Sequence, residues 1–158
     1  MANNTYRKRK RLGDIIEIPV HGEYFCYAQL LPHGEYLFFD YKSDIPLEDL
    51  FILKDCKTLF RVTVYDSVLR KGRWRIVGNI PIKEEFLVPH IKYIYDKFEN
   101  SFALYNTETG KITKCSKEEA RGRERSAVWD DFHVEDRLYD HYRNQPCKWL
   151  KEEYEIWK

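Results

Sequence analysis

Between residues 72 and 81 the chain reads G-R-W-R-I-V-G-N-I-P, a segment with very few conformations open to it. An extended backbone puts Trp74 and Ile76 on one face and Arg73, Arg75 and Val77 on the other. Gly72 and Gly78 supply turn or bulge geometry at the two ends, and Pro81 cannot continue an interior strand. The segment therefore reads as a short strand with one tryptophan in its middle. It contains no nucleophile, metal ligand or phosphate cradle, so its meaning rests on its neighbours.

Those neighbours are mainly β as far as about residue 106. Residues 14–20 form a short strand, His21-Gly22 a turn, and the aromatic stretch 23–31 a second strand closing a hairpin. Pro32-His33-Gly34 turns the chain into a third strand over 35–41, which makes a meander. Residues 43–50 read as a loop with one helical turn. In 59–65, Phe60, Val62 and Val64 alternate with Arg61 and Thr63, the pattern of a half-buried strand. Residues 102–106 and 111–114 flank Thr107-Glu108-Thr109-Gly110, where Gly110 suits the left-handed residue of a bulged hairpin turn.

The period then changes. Ser116-Lys117-Glu118-Glu119 is a helix capping box, and Gly122 is a stop signal. Asp130 and Asp131 open a second helix, in which Val134, Leu138 and Tyr142 recur every four residues as a buried stripe. Asn144-Gln145-Pro146 breaks it, and residues 148–157 give a last short helix with Leu150, Tyr154 and Trp157 on one side. The fold class is α+β and mostly β: a curled antiparallel sheet or small SH3-like barrel, with C-terminal helices packed on it.

A chain of 158 residues holds one hydrophobic core. Residues 13–158 are accordingly read as a single domain behind a basic arm, residues 1–12. No apolar run approaches the roughly 20 residues of a membrane-spanning helix. The first twelve residues lack the apolar core of a signal peptide, which points to the cytoplasm. Cys26, Cys56, Cys115 and Cys147 form no C-x-x-C pair, and in that compartment they are expected as thiols. Net charge is +1, but five positive charges sit together in Arg7-Lys8-Arg9-Lys10-Arg11. Without them the remainder carries about −4. A solvated terminus explains the arm more simply than a nucleic-acid or membrane contact, because no basic face continues it.

Catalytic patterns are missing. There is no G-x-S-x-G elbow, glycine-rich phosphate loop or dinucleotide fingerprint. His21, His33, His90, His133 and His141 include no pair at helical zinc spacing, and the cysteines complete no zinc pattern. No catalytic residue, metal or cofactor is expected. The acids Asp130, Asp131, Glu135, Asp136 and Asp140 have two readings. They cap a helix and solvate its outer face, or they oppose a basic surface on a partner. Aromatic residues are 16% of the chain, and the third strand carries no basic residue to help its rings stack on single-stranded nucleic acid.

The order of these signals resembles a known family. G-D-I-I-E-I-P (13–19) precedes an aromatic strand ending in Ala28-Gln29-Leu30-Leu31. F-R-V-T-V (60–64) and R-W-R-I-V-G-N-I-P (73–81) follow, then V-W-D-D-F-H-V-E-D-R-L-Y-D-H-Y (128–142). The set is similar to the immunity protein 26 family, antidote proteins of bacterial polymorphic toxin systems, over residues 13–142. The resemblance implies a mostly β, non-enzymatic cytoplasmic protein that binds and neutralises a cognate toxin by occlusion. It implies family positions at Gly13, Asp14, Pro19, Trp74, Gly78, Trp129 and Arg137, read as fold-defining. The five acids of 130–140 are then candidate toxin contacts, suited to a nuclease or another toxin with a basic surface. The alternative is a nucleic-acid-binding small β-barrel using the basic arm, although nucleic acid is not the expected partner.

Overall fold

The computed structural model describes residues 9–158. Arg7 and Lys8 of the basic run lie outside the described residues. In chain order the elements are β1 (Asp14–Val20), β2 (Tyr24–Leu30), β3 (Glu35–Ser43), β4 (Thr58–Val64), α1 (Ser67–Arg70) and β5 (Arg75–Asn79). A second set comprises β6 (Ile91–Asp96), β7 (Ser101–Asn106), β8 (Ile112–Cys115), α2 (Lys117–Ala120) and β9 (Val128–Trp129). Two helices, α3 (Asp131–Tyr142) and α4 (Lys151–Ile156), end the chain.

The expected α+β, mostly β architecture is found, as an open sheet and not a closed barrel. Strands run β5-β1-β2-β3-β4-β9 in one sheet and β6-β7-β8 in the other. All named pairs are antiparallel except β4 with β9. His21 and Gly22 both take positive φ between β1 and β2, and the Glu23 amide donates to the Val20 carbonyl at 3.0 Å. That positive-φ pair matches the right-handed twist of the strands it joins. Pro19 lies beyond Glu17, the last β1 residue paired with β5, so its missing N–H costs no bond there.

Alternation sorts the larger sheet into two apolar faces. Ile16, Ile18, Val20, Cys26, Ala28, Tyr36, Phe38, Val62 and Trp74 share one core with Val134 and Leu138 of α3. Ile15, Tyr27, Leu37 and Phe39 point the other way and are covered by Leu53, Ile80 and the segments around them. The strand expected around the tryptophan is shifted: β5 begins at Arg75, and Trp74 stands just before it. Opposite β1 the register moves from Ile15↔Gly78 to Ile16↔Ile76, which leaves Val77 as a bulge. Trp74 is free of the ladder because its ring turns inward beneath α3, where only 1% of it is exposed.

The strand β6 has no counterpart in the sequence reading. Its alternation is hidden by Lys92, which points inward and is buried. Lys92 belongs to a charged joint between the two sheets. Glu35, fully buried at the start of β3, accepts from Arg61 Nε at 2.9 Å and His90 Nδ1 at 2.7 Å, and pairs with Lys92 Nζ at 3.0 Å. Lys92 Nζ also donates to Thr63 Oγ1 at 2.9 Å. The smaller sheet packs Tyr93 and Phe102 against Ala120, Ile156 and Trp157.

Burial acts to raise the Glu35 carboxyl, but the His90 hydrogen bond and the Lys92 charge outweigh it and hold it below its usual 4.5. A carboxyl depressed in the folded state contributes stability that is complete above the unfolded value and is lost as pH falls through the folded one. Replacing Glu35 by Gln leaves Lys92 buried beside a neutral partner, a change expected to cost about 3–5 kcal/mol at neutral pH. Urea titrations of both proteins test this. The wild-type midpoint should fall steeply below about pH 4.5, in the range of an unfolded carboxyl, while the variant's falls less.

Candidate functional site

Gly13 and Asp14 knit a corner where β1, β2 and the end of β5 meet. Gly13 has φ of +88°, and a Cβ there would stand 2.8 Å from the Ile80 carbonyl oxygen. Its amide donates to Leu30 O at 2.9 Å, while its carbonyl accepts from the Ile80 amide at 3.1 Å. The buried Asp14 carboxylate accepts from the Arg11 amide at 2.7 Å and Asn79 Nδ2 at 3.0 Å. Gly78 serves a close approach and not a turn, since a Cβ there would lie 2.3 Å from Leu50 Cδ1.

A second group fastens α3 to the larger sheet. Trp74 Nε1 donates to Glu135 Oε2 at 2.8 Å, and Arg73 pairs with the other oxygen of Glu135. Arg137 grips Glu124 with two bonds, at 2.9 and 3.1 Å. Its guanidinium lies 3.8 Å from the Phe60 ring centroid and 5.0 Å from that of Trp129. Planar stacking combined with a bidentate carboxylate is a role lysine cannot fill. The family positions named from sequence are therefore brought together as two structural clusters, with Pro19 apart from both.

The five acids around α3 do not solvate its outer face. Asp131, Glu135 and Asp140 are buried, and all five carboxylates are held by the chain's own donors. Asp130 caps the helix, accepting from the Asp131 amide at 2.9 Å, and pairs with Lys71 at 3.3 Å. Asp131 lies 3.4 Å from Lys71. Asp136 meets His21 at 2.9 Å, Lys148 at 3.2 Å and the Trp149 indole at 2.9 Å. Asp140 accepts from the Lys148 amide at 3.1 Å. The backbone hydrogen bond and the Lys71 contact hold Asp130 below the usual carboxylate range. Spacing along the helix could not show this, because the cations come from before β5 and after α3. Beside these acids, the half-exposed Phe132 and Trp149 rings lie 5.6 Å apart, with His133 between them.

The connection between β3 and β4, residues 44–57, presents a different surface. Ile45 is 73% exposed, Phe51 58% and Ile52 38%. Asp44, Glu48, Asp49 and Asp55 lie exposed among them and make no ion pair among the described residues. The connection is nonetheless fixed from below. Leu53 is fully buried, Leu50 packs on the bare backbone of Gly78, and the Leu47 amide donates to Tyr27 Oη at 2.8 Å. Asp49 caps a 3-10 helix over Leu50–Asp55 by accepting from the Phe51 amide at 3.0 Å. The sequence reading covered its first half as a loop with one helical turn. The available signal was the mixture of apolar and acidic side chains with no helical or strand period.

An open cleft of about 270 Å³ lies between β4, α3 and the chain that follows, lined in part by Phe60, Arg137, His141 and Cys147. Burial pushes the Cys147 thiol up and the Cys26 thiol to about 12, so both are protonated at neutral pH and are poor nucleophiles. No group of three His, Cys, Asp or Glu among the described residues is arranged to hold a metal ion. No described helix is long and apolar enough to cross a membrane.

Trp74 and Gly13 carry the clearest consequences for stability. Trp74→Ala should cost about 3–5 kcal/mol, with Trp74→Phe losing less because it removes mainly the bond to Glu135. Gly13→Ala should also destabilise, through its positive φ and the Ile80 carbonyl. Urea midpoints check all three, and a wild-type midpoint for Trp74→Ala would overturn the assignment of Trp74 to the core.

No curated protein and no solved structure matches the chain. Residues 11–104 match the model of a family described as Immunity protein 26. The match takes in Gly13, Asp14, Pro19, Trp74 and Gly78 and stops short of Trp129 and Arg137, so it is narrower than the resemblance read to residue 142. It covers more than half of the sequence and includes the whole glycine corner, β1 to β5 and the 44–57 connection, and on that ground the chain belongs to the Immunity protein 26 family.

Proposed function

We propose that this protein binds a cognate bacterial toxin in the cytoplasm and neutralises it without catalysis, by covering the toxin's active site or a surface beside it. Residues 13–158 act as one unit in this reading, with the joint at Glu35 tying the two sheets together. The observation that carries the proposal is the family match over residues 11–104. A tight complex of this kind buries on the order of 1,600 Å² in total, well within what one face of such a fold offers. In the described part of the basic arm, Lys10 is turned back onto Asp66.

Co-expression tests the reading directly. Toxin domains encoded by reading frames next to this gene should arrest growth alone, and growth should return when this protein is produced with one of them. Continued arrest with every such domain would overturn the proposal. Titration of the protein with RNA and DNA at two salt concentrations separates the alternative, because phosphate binding weakens steeply with salt.

A further inference from the structure

We propose that the connection between β3 and β4 is the toxin-facing surface. Its partner is a basic protein surface in which Lys and Arg side chains surround an apolar recess that receives Phe51. This rests on the immunity reading above and goes further by naming the surface and the chemistry it meets.

Exposure and fixation occur together in this connection. An isolated exposed apolar side chain needs no explanation, but here three of them share one short segment whose backbone is held in place. Leu53 is buried in the core of the sheet's second face, and Leu50 occupies the space left open at Gly78. Ser43 Oγ donates to Ile45 O at 2.7 Å, and the Tyr27 hydroxyl and Asp49 carboxylate each fix one amide. A surface ordered in advance loses little conformational entropy when it docks, which leaves more of the contact energy as affinity.

Charge selects the partner. Asp44, Glu48, Asp49 and Asp55 are interspersed with the apolar residues, against the two cations Lys54 and Lys57, and none of the four acids is in an ion pair among the described residues. The acids of α3 differ, because a partner would first have to displace Lys71, Arg73, Lys148 and His21. Desolvating already satisfied pairs is expensive, whereas unpaired exposed carboxylates steer a basic partner and gain new contacts. The edge strand β8 is a weaker candidate, since Lys111 and Lys114 flank exposed Ile112 in a way that discourages strand pairing.

The experiment takes the toxin domain that the wild-type protein neutralises, with its catalytic residue disabled, and measures binding by calorimetry and stopped flow. Phe51→Ser combined with Ile52→Ser should weaken binding about 30-fold or more, as loss of a central anchor does. Glu48→Lys combined with Asp55→Lys should slow association about tenfold at low salt and flatten its salt dependence. Phe98→Ser, at a 92% exposed side chain in the β6–β7 turn, should bind as the wild type does. Thermal melts confirm folding, and the charge pair keeps the test open if the Phe51 variant unfolds. Wild-type affinity in both folded connection variants would overturn this surface while leaving toxin neutralisation intact. Failure of the wild-type protein to neutralise any neighbouring toxin would overturn the parent reading, and this one with it.

Discussion

The two sheets meet at one buried carboxylate. Glu35 begins β3 with no exposure to solvent, and Arg61, His90 and Lys92 converge on its two oxygens from β4, the chain before β6, and β6 itself. Removing these charges from water costs several kcal/mol for each ion, and their attraction offsets that only when the geometry satisfies the remaining donors. The arrangement meets that condition: Lys92 has a second acceptor in Thr63, and Arg61 also donates to the Val88 carbonyl at 3.1 Å. The joint adds little net stability compared with a well-packed apolar contact, but it tolerates only one register. A one-residue slip of β6 against β7 would carry Lys92 to the opposite face and leave Glu35 without this cation.

The two faces of the larger sheet are covered unequally. One face is closed by α3, which Trp74 and Glu135 clamp in place and Arg137 braces from the far side. Among the described residues the other has no long helix over it. It is covered by the segments around Leu53 and Ile80, and these leave the connection's side chains turned outward. The fold thus divides its work, with rigid packing under α3 and an accessible but anchored surface on the opposite face.

Much of this was legible in the sequence where a single period or cap decides the outcome. Apolar runs bounded by turn signals gave β1 to β3, alternation gave β4, the Ser116–Glu119 box gave α2, and Asp130 gave the start of α3. What stayed hidden depended on distant partners. Lys92 disguised β6 because a buried lysine breaks the apolar pattern, and only Glu35, 57 positions earlier, accounts for it. Trp74 reads as mid-strand because the bulge at Val77 cannot be seen without β1 alongside. Acids on α3 look solvated for the same reason, since Lys71, Arg73 and Lys148 are invisible to helical spacing. Of the candidate contact surface, the sequence showed a loop and nothing of its anchors.

Charge counting alone does not separate accessible negative charge from charge already used within the fold. Acids cluster most densely in 130–140, yet that charge is already neutralised within the fold and is part of what holds α3 down. Accessible negative charge is found in a connection whose fixed positions, Leu50 and Leu53, are separate from its exposed ones, Ile45, Phe51 and Ile52. That separation would suit the proposed toxin-binding role. Exposed positions of an anchored loop can change without disturbing the core beneath them, whereas a substitution in the α3 clamp would trade specificity against folding. Among the described residues the acids of α3 are paired within the fold while those of the 44–57 connection make no ion pair, so the connection's exposed side chains can vary while the fold is kept.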